Sequence, residues 1–180
     1  MFCDLLSEDA SPVALAEAKS FLRIDTDFDD TILTNLIDTC TRWGEKFVSK
    51  SFRNQEYACI GILSANGPCI NLPKSVVASV SEVSYTDSDG NTVVLDSSDY
   101  TLVKSKQVAH ISISPSVTSG SYNVTLRTSA LTESLPIMKQ GVLHHVAYLY
   151  ENRGDTASVG KLDAPLETIN LYNSIKVIRV

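Results

Sequence analysis

The sequence predicts an α+β chain with a mainly helical core and a small antiparallel β segment inserted into it. Apolar residues recur at three- and four-residue spacing near 12–23, 28–49, 136–153 and 165–172, the period that lays an apolar stripe along one helix face. Between these stretches, from 52 to 133, Ser, Thr, Val and Ile dominate, and turn residues punctuate short runs of strand-forming side chains. The runs are short, rich in hydroxyls and interrupted at Leu72-Pro73, which suits an inserted antiparallel sheet and not a parallel α/β core.

At 180 residues and 43% hydrophobic, the chain can bury one ordinary core. Lys and Arg total 15 against 21 Asp and Glu, and the net charge of −6 argues against a surface built to grip phosphate backbones. Cys3, Cys40, Cys59 and Cys69 lack CxxC spacing, and the acidic stretch Met1–Ala10 has neither part of a signal peptide. The expectation is four reduced thiols in a cytosolic product, without a disulfide or a zinc cluster. No apolar run approaches the ~20 residues needed to cross a bilayer, so a soluble product is expected.

Met1–Ala10 reads as a lead-in, and Ser11-Pro12 as an N-cap followed by proline at the first helical position. Leu15, Ala18, Phe21 and Leu22 then fall on one face of a helix ending near Arg23. The acidic run from Asp25 to Asp30 can cap the next helix and complement its dipole. Read as a calcium loop from Asp25, it would hold Asp30 where glycine is required and Leu36 where glutamate is required, so calcium is set aside. From Phe28 to about Ser49, Ile32, Leu33, Leu36, Ile37, Cys40, Trp43, Phe47 and Val48 make the strongest amphipathic helix, with Trp43 filling core. Gly44 either admits close approach or is simply tolerated.

Strands are expected at Gln55–Ile62, Cys69–Leu72, Val80–Thr86, Thr92–Leu95, Tyr100–Lys104, Ala109–Ile113 and Tyr122–Arg127. Asp87-Ser88-Asp89-Gly90-Asn91 is a hairpin loop in which Gly90 can take positive φ. Pro136 suits the first turn of the third helix and Gly154 its end. A polar loop from Asp155 to Gly160 precedes a short helix, Pro165 to Tyr172, capped by Asp163 or Ala164. The tail, 174–180, alternates β-branched and basic residues and could pair with a sheet edge in its own subunit or a neighbour.

No constellation indicates catalysis. His144 and His145 diverge by about 100° on a helix and cannot face one metal, and no HExxH spacing accompanies them. They read as surface or interface histidines. GxSxG, GxGxxG and GxxxxGK[ST] are all missing from the sequence. Lys104-Ser105-Lys106 reads as a solvated loop, given the acidic total. No cofactor and no metal are expected.

Three ordered segments resemble the head–tail connector, or adaptor, proteins of long-tailed double-stranded DNA phages. The first runs from Leu15 through Phe21-Leu22-Arg23-Ile24-Asp25 and the acidic run to Leu33-Thr34-Asn35-Leu36-Ile37. The second comprises Leu72-Pro73, Val80-Ser81-Glu82-Val83-Ser84-Tyr85, Asp89-Gly90 and Ser98-Asp99-Tyr100. The third runs from Leu135-Pro136-Ile137-Met138-Lys139-Gln140 to the ending Tyr150-Glu151-Asn152-Arg153. Between Gln107 and Ser134 the chain departs from the family pattern, with Leu126-Arg127-Thr128-Ser129 where the family has tyrosine and glycine.

The resemblance implies one connector domain over 1–180, with 52–133 as its inserted β segment and 174–180 as its tail. It implies a non-enzymatic virion protein that forms a ring, commonly a dodecamer, between the portal protein and a tail-side completion or stopper protein. Double-stranded DNA would pass through its channel without sequence-specific binding; no membrane partner is implied. Assembly would occur in the host cytoplasm. Head closure or tail termination in the same channel is the alternative role, and a small hydrolase or carbohydrate-binding domain a more distant one. Candidate interface residues are Glu151 and Arg153 as inter-subunit charges and Ile175, Val177, Ile178 and Val180 as tail anchors, with a tail folded on its own sheet as the competing reading.

Overall fold

The computed structural model describes residues 2–62, 69–72, 77–86, 90–104, 109–113, 121–129, 134–153 and 164–176. Among them are four helices, α1 (Leu15–Leu22), α2 (Asp30–Val48), α3 (Leu135–Glu151) and α4 (Leu166–Asn173). The eight strands are β1 (Phe2–Glu8), β2 (Gln55–Ile62), β3 (Cys69–Asn71), β4 (Val77–Thr86), β5 (Thr92–Val94), β6 (Tyr100–Lys104), β7 (Ala109–Ile113) and β8 (Ser121–Thr128). The chain divides into a β unit, drawn from Met1–Asp9 and Arg53–Ala130, and a helical unit, drawn from Ala10–Phe52 and Leu131–Val177.

This corrects the expectation of a mainly helical core. Strands occupy nearly as much of the described chain as helices do, and they form two antiparallel sheets, ordered β1-β2-β8-β4-β5 and β3-β7-β6. Both sheets feed one apolar cluster, with Val83, Tyr122, Val124 and Leu126 from the first and Ile70, Ala109, Ile111 and Ile113 from the second. β8 sets the first sheet. Tyr122, Val124, Leu126 and Thr128 are buried while Ser121, Asn123 and Arg127 are exposed, the two-residue period of a strand with one face in a core. It is paired on both sides, with Tyr57 opposite Leu126 on β2 and Val83 opposite Val124 on β4. Gly90 (φ 86°) supplies the left-handed residue expected between β4 and β5.

Two expectations at the N-terminus fail together. The expected lead-in is instead β1, at the edge of the first sheet, and its Cys3 lies directly opposite Cys59 of β2. The two are joined as a disulfide, so the chain does not carry four thiols. Sequence spacing misses this because the partners lie 56 residues apart and meet only through strand register. Cys40 is buried and Cys69 exposed; burial pushes the Cys40 thiol up to about 12.

In the helical unit, α2 buries Leu33, Ile37, Cys40, Gly44 and Val48, and α3 buries Met138, Gly141, Val142, His145 and Val146. Ser11 does not cap α1, which begins later with Ala14 at the cap position. Its hydroxyl instead accepts from the Val13 N–H (3.3 Å) and lies 2.8 Å from the Thr41 hydroxyl. Arg23 takes the left-handed conformation that ends α1 (φ 57°), and the Ile24 N–H reaches back to the Lys19 carbonyl at 2.9 Å. Ser49 ends α2 the same way (φ 59°), and the buried Glu45 carboxylate accepts the Phe52 N–H at 2.8 Å.

Pro136 occupies the first turn of α3 as its second residue, and Pro165, not Asp163 or Ala164, is the cap residue of α4. Gly154, the Asp155–Gly160 loop, Asp163, Asp87–Asp89 and Ser105-Lys106 lie outside the described residues.

Tyr172 joins α2, α3 and α4. Its ring is fully buried, with ring centroids of Trp43, Phe47 and Phe52 between 5.6 and 6.3 Å away. A Cβ on Gly141 would stand 2.3 Å from Tyr172 Cε1, and one on Gly44 2.8 Å from its hydroxyl and 2.6 Å from Phe52 Cε2. The two glycines therefore open the slot that the ring fills, which is why α2 carries glycine at position 44.

Candidate assembly surfaces

The acidic run between α1 and α2 is an ion-pair junction. Lys19 of α1 reaches Asp27 Oδ1 at 2.5 Å and Asp30 Oδ1 at 2.8 Å. These hydrogen bonds raise the Lys19 ammonium above its usual range, Asp27 ahead of Asp30, and the bond to Lys19 lowers Asp27. Asp29 precedes α2 without using its side chain as a cap. Its Oδ2 instead accepts from the Tyr150 hydroxyl at 2.5 Å and from Arg153 Nη1 at 3.1 Å. The Tyr150 bond first, then Arg153, holds the Asp29 carboxyl below the usual carboxylate range, and Asp29 in turn raises Tyr150. The Arg153 guanidinium also lies 4.5 Å from the Tyr150 ring centroid. Residues Tyr150 to Arg153 thus form a bracket that ties the end of α3 to the start of α2. Of the two charges expected at an interface, Arg153 is engaged within its own chain, and Glu151 is exposed.

Phe28 stands out in this junction at 93% exposed, just after the exposed Asp25 and Asp27. At the other end of α2 the charge reverses. Lys46 and Lys176 are exposed and Lys50 half-buried, and Lys176 Nζ sits 4.0 Å from the centroid of the Phe47 ring. Phe47 stacks on Trp43 at 5.0 Å.

The two adjacent histidines part company. His145 is buried with its ring edge-on to Trp43 at 5.1 Å, a correction to the surface reading, whereas His144 is half-exposed against Phe21 at 5.6 Å. His144 also lines a shallow groove of about 450 Å³ between α3 and α4, with Gln140, Glu167, Asn170, Leu171 and Ser174. Among the described residues, no group of three or more His, Cys, Asp or Glu is placed to hold a metal ion. No described helix is long and apolar enough to cross a membrane.

In the β unit, Phe2, Leu5 and Leu6 on β1 and Val93 and Val94 on β5 are exposed at the two edges of the larger sheet. The Lys104 ammonium donates to the Ala78 carbonyl. Of the four tail residues, Ile175 is 8% exposed and packs in the core of the helical unit, while Val177, Ile178 and Val180 lie outside the described residues.

The sequence pattern of a family described as "Phage gp6-like head-tail connector protein" matches residues 12–112. Among solved structures, the chain is similar to one from the neck of an empty gene transfer agent particle computed with C6 symmetry. That likeness has 21% identity and a TM-score of 0.78, covering 100% of this chain and 97% of that one. It is similar also to a chain of the native gene transfer agent virion, at 19% identity and TM-score 0.77. A chain from the native neck computed with C12 symmetry matches at 20% identity and TM-score 0.72; both have the same two coverages, 100% and 97%. At these identities the likeness shows a shared fold running the length of the chain. No curated protein sequence matches.

Proposed function

The chain belongs to the phage gp6-like head-tail connector family, and from that membership we propose that it works as a non-enzymatic ring, of twelve copies in the virion, seated between the portal protein and a tail-side completion protein. The observation that carries this is the family match, whose residues 12–112 run from the first helical turns through most of the β unit. The full-length likeness to two chains from necks of gene transfer agent particles, computed with C6 and C12 symmetry, supports it. The ring would assemble in the host cytoplasm and enclose a channel for double-stranded DNA. A charge of −6 per copy suits such a lumen, since an acidic wall repels the phosphate backbone that fixed cations would hold.

The tail is the proposed portal contact, through Val177, Ile178 and Val180, with Glu151 and Arg153 near neighbouring subunits. Ile175 enters this proposal differently from the rest, because removing it opens the helical core. The test therefore keeps Ile175 and Lys176 and deletes Val177–Val180. The truncated chain is expected to keep its thermal midpoint and to lose at least tenfold in portal affinity by co-sedimentation. Portal binding at full strength would remove the tail from the interface, and capture of a tail-side protein but never of the portal would favour a head-closure or tail-terminator role.

A further inference from the structure

α2 carries two dissimilar surfaces at its ends. At its start are Phe28, Asp25 and Asp27; at its finish are the Trp43–Phe47 stack and the cations Lys46, Lys50 and Lys176. The helix dipole accounts for the order of the charges, acidic first and basic last. It does not account for Phe28, a large apolar ring 93% exposed directly after the exposed Asp25 and Asp27. The junction around it is not loose: Asp29 is fixed by Tyr150 and Arg153, and Asp30 by Lys19. An exposed aromatic ring on backbone whose next two residues are pinned by ion pairs and hydrogen bonds has the form of an interface anchor.

We propose that Phe28 of one copy docks on the Trp43–Phe47 aromatic stack of the next, with Asp25, and the exposed face of Asp27 that Lys19 leaves open, turned to Lys46 and Lys176. This rests on the ring reading above and names the partner surface within it, a second copy of this chain. The two surfaces are complementary in charge and both contain exposed or half-exposed aromatic area, so one fits the other and neither fits itself. They are separated by a 19-residue helix, about 28 Å long. A patch at one end that binds a different patch at the other end is a heterologous, head-to-tail contact, which is the kind that repeats and closes into a ring.

Two variants test it. Phe28→Ala removes the anchor at an exposed position, and Lys46→Glu with Lys176→Glu inverts the receiving surface. Neither is expected to lower the thermal midpoint by more than a degree or two. Each alone should weaken ring formation at least tenfold, with or without portal, by native mass spectrometry. An equimolar mixture should form dimers and nothing larger, because only one of its two junctions is intact, with Phe28 of the second variant on the unaltered surface of the first. Rings formed by Phe28→Ala at wild-type concentrations would overturn this contact while leaving the ring itself standing. A mixture without dimers would overturn its head-to-tail sense. Wild-type chain that stays monomeric even with portal would instead overturn the ring reading on which the contact rests.

Discussion

Gly141→Val is expected to destabilise the protein by about 3 kcal/mol or more, lowering the thermal midpoint by roughly 10 °C. On propensity alone the sign would be the reverse for the smaller change Gly141→Ala, since alanine gains about 1 kcal/mol over glycine in a helix interior. Packing decides otherwise. The first added carbon would sit 2.3 Å from Tyr172 Cε1 and 2.6 Å from Cζ, inside any allowed contact. Tyr172 has nowhere to go, being fully buried and hemmed in by Trp43, Phe47 and Phe52. Gly141→Ala should therefore cost about 2 kcal/mol net, and combining it with Tyr172→Leu should recover part of that loss in a double-mutant cycle. Equal midpoints for wild type and Gly141→Val would show that the ring can leave its slot.

The second large effect lies in the β unit. Tyr122→Ala is expected to cost about 3–5 kcal/mol in chemical denaturation, the range for emptying an aromatic site in a core. Tyr122 is wholly buried at the centre of the larger sheet, beside Tyr85 at 5.8 Å, and strands on both flanks hold its backbone in place. The surroundings therefore have little room to collapse into the space. Val94→Ala on β5, where the side chain is 60% exposed, is the control and should change stability by less than about 0.5 kcal/mol. The contrast tests whether the β unit holds a core of its own. A decoration on a helical core would show a small cost at both positions.

Strong local periodicity was the part of the fold most legible in the sequence. β2, β6 and β7 fall on their expected residues, and α2 and α3 lie within two residues of theirs, because alternation and the helical stripe are properties of neighbouring residues. Long-range consequences were not legible. Whether 52–133 would decorate helices or build its own core depended on two sheets sharing one cluster, and no single strand announces that. β1 was missed because an edge strand with mostly exposed side chains lacks the buried alternation that marks the others.

The assembly surfaces divide in the same way. The Tyr150-Glu151-Asn152-Arg153 ending was visible as a motif, but its use as a bracket on Asp29 required a pairing across more than a hundred residues. Ile175 looked like tail, since its β-branched neighbours continue past it, yet its side chain closes the helical core. The helical period places Phe28 as the first apolar residue of α2, but the helix begins at Asp30, two residues later, and leaves Phe28 exposed.

The central claim is that this chain forms a ring at the head–tail junction, and the most direct measurement is the mass of the purified protein by native mass spectrometry, alone and then with portal. The expected result is a closed assembly of twelve 19.6 kDa copies, present either with the chain alone or only once portal is added as a template. A single species at 19.6 kDa under both conditions would contradict it.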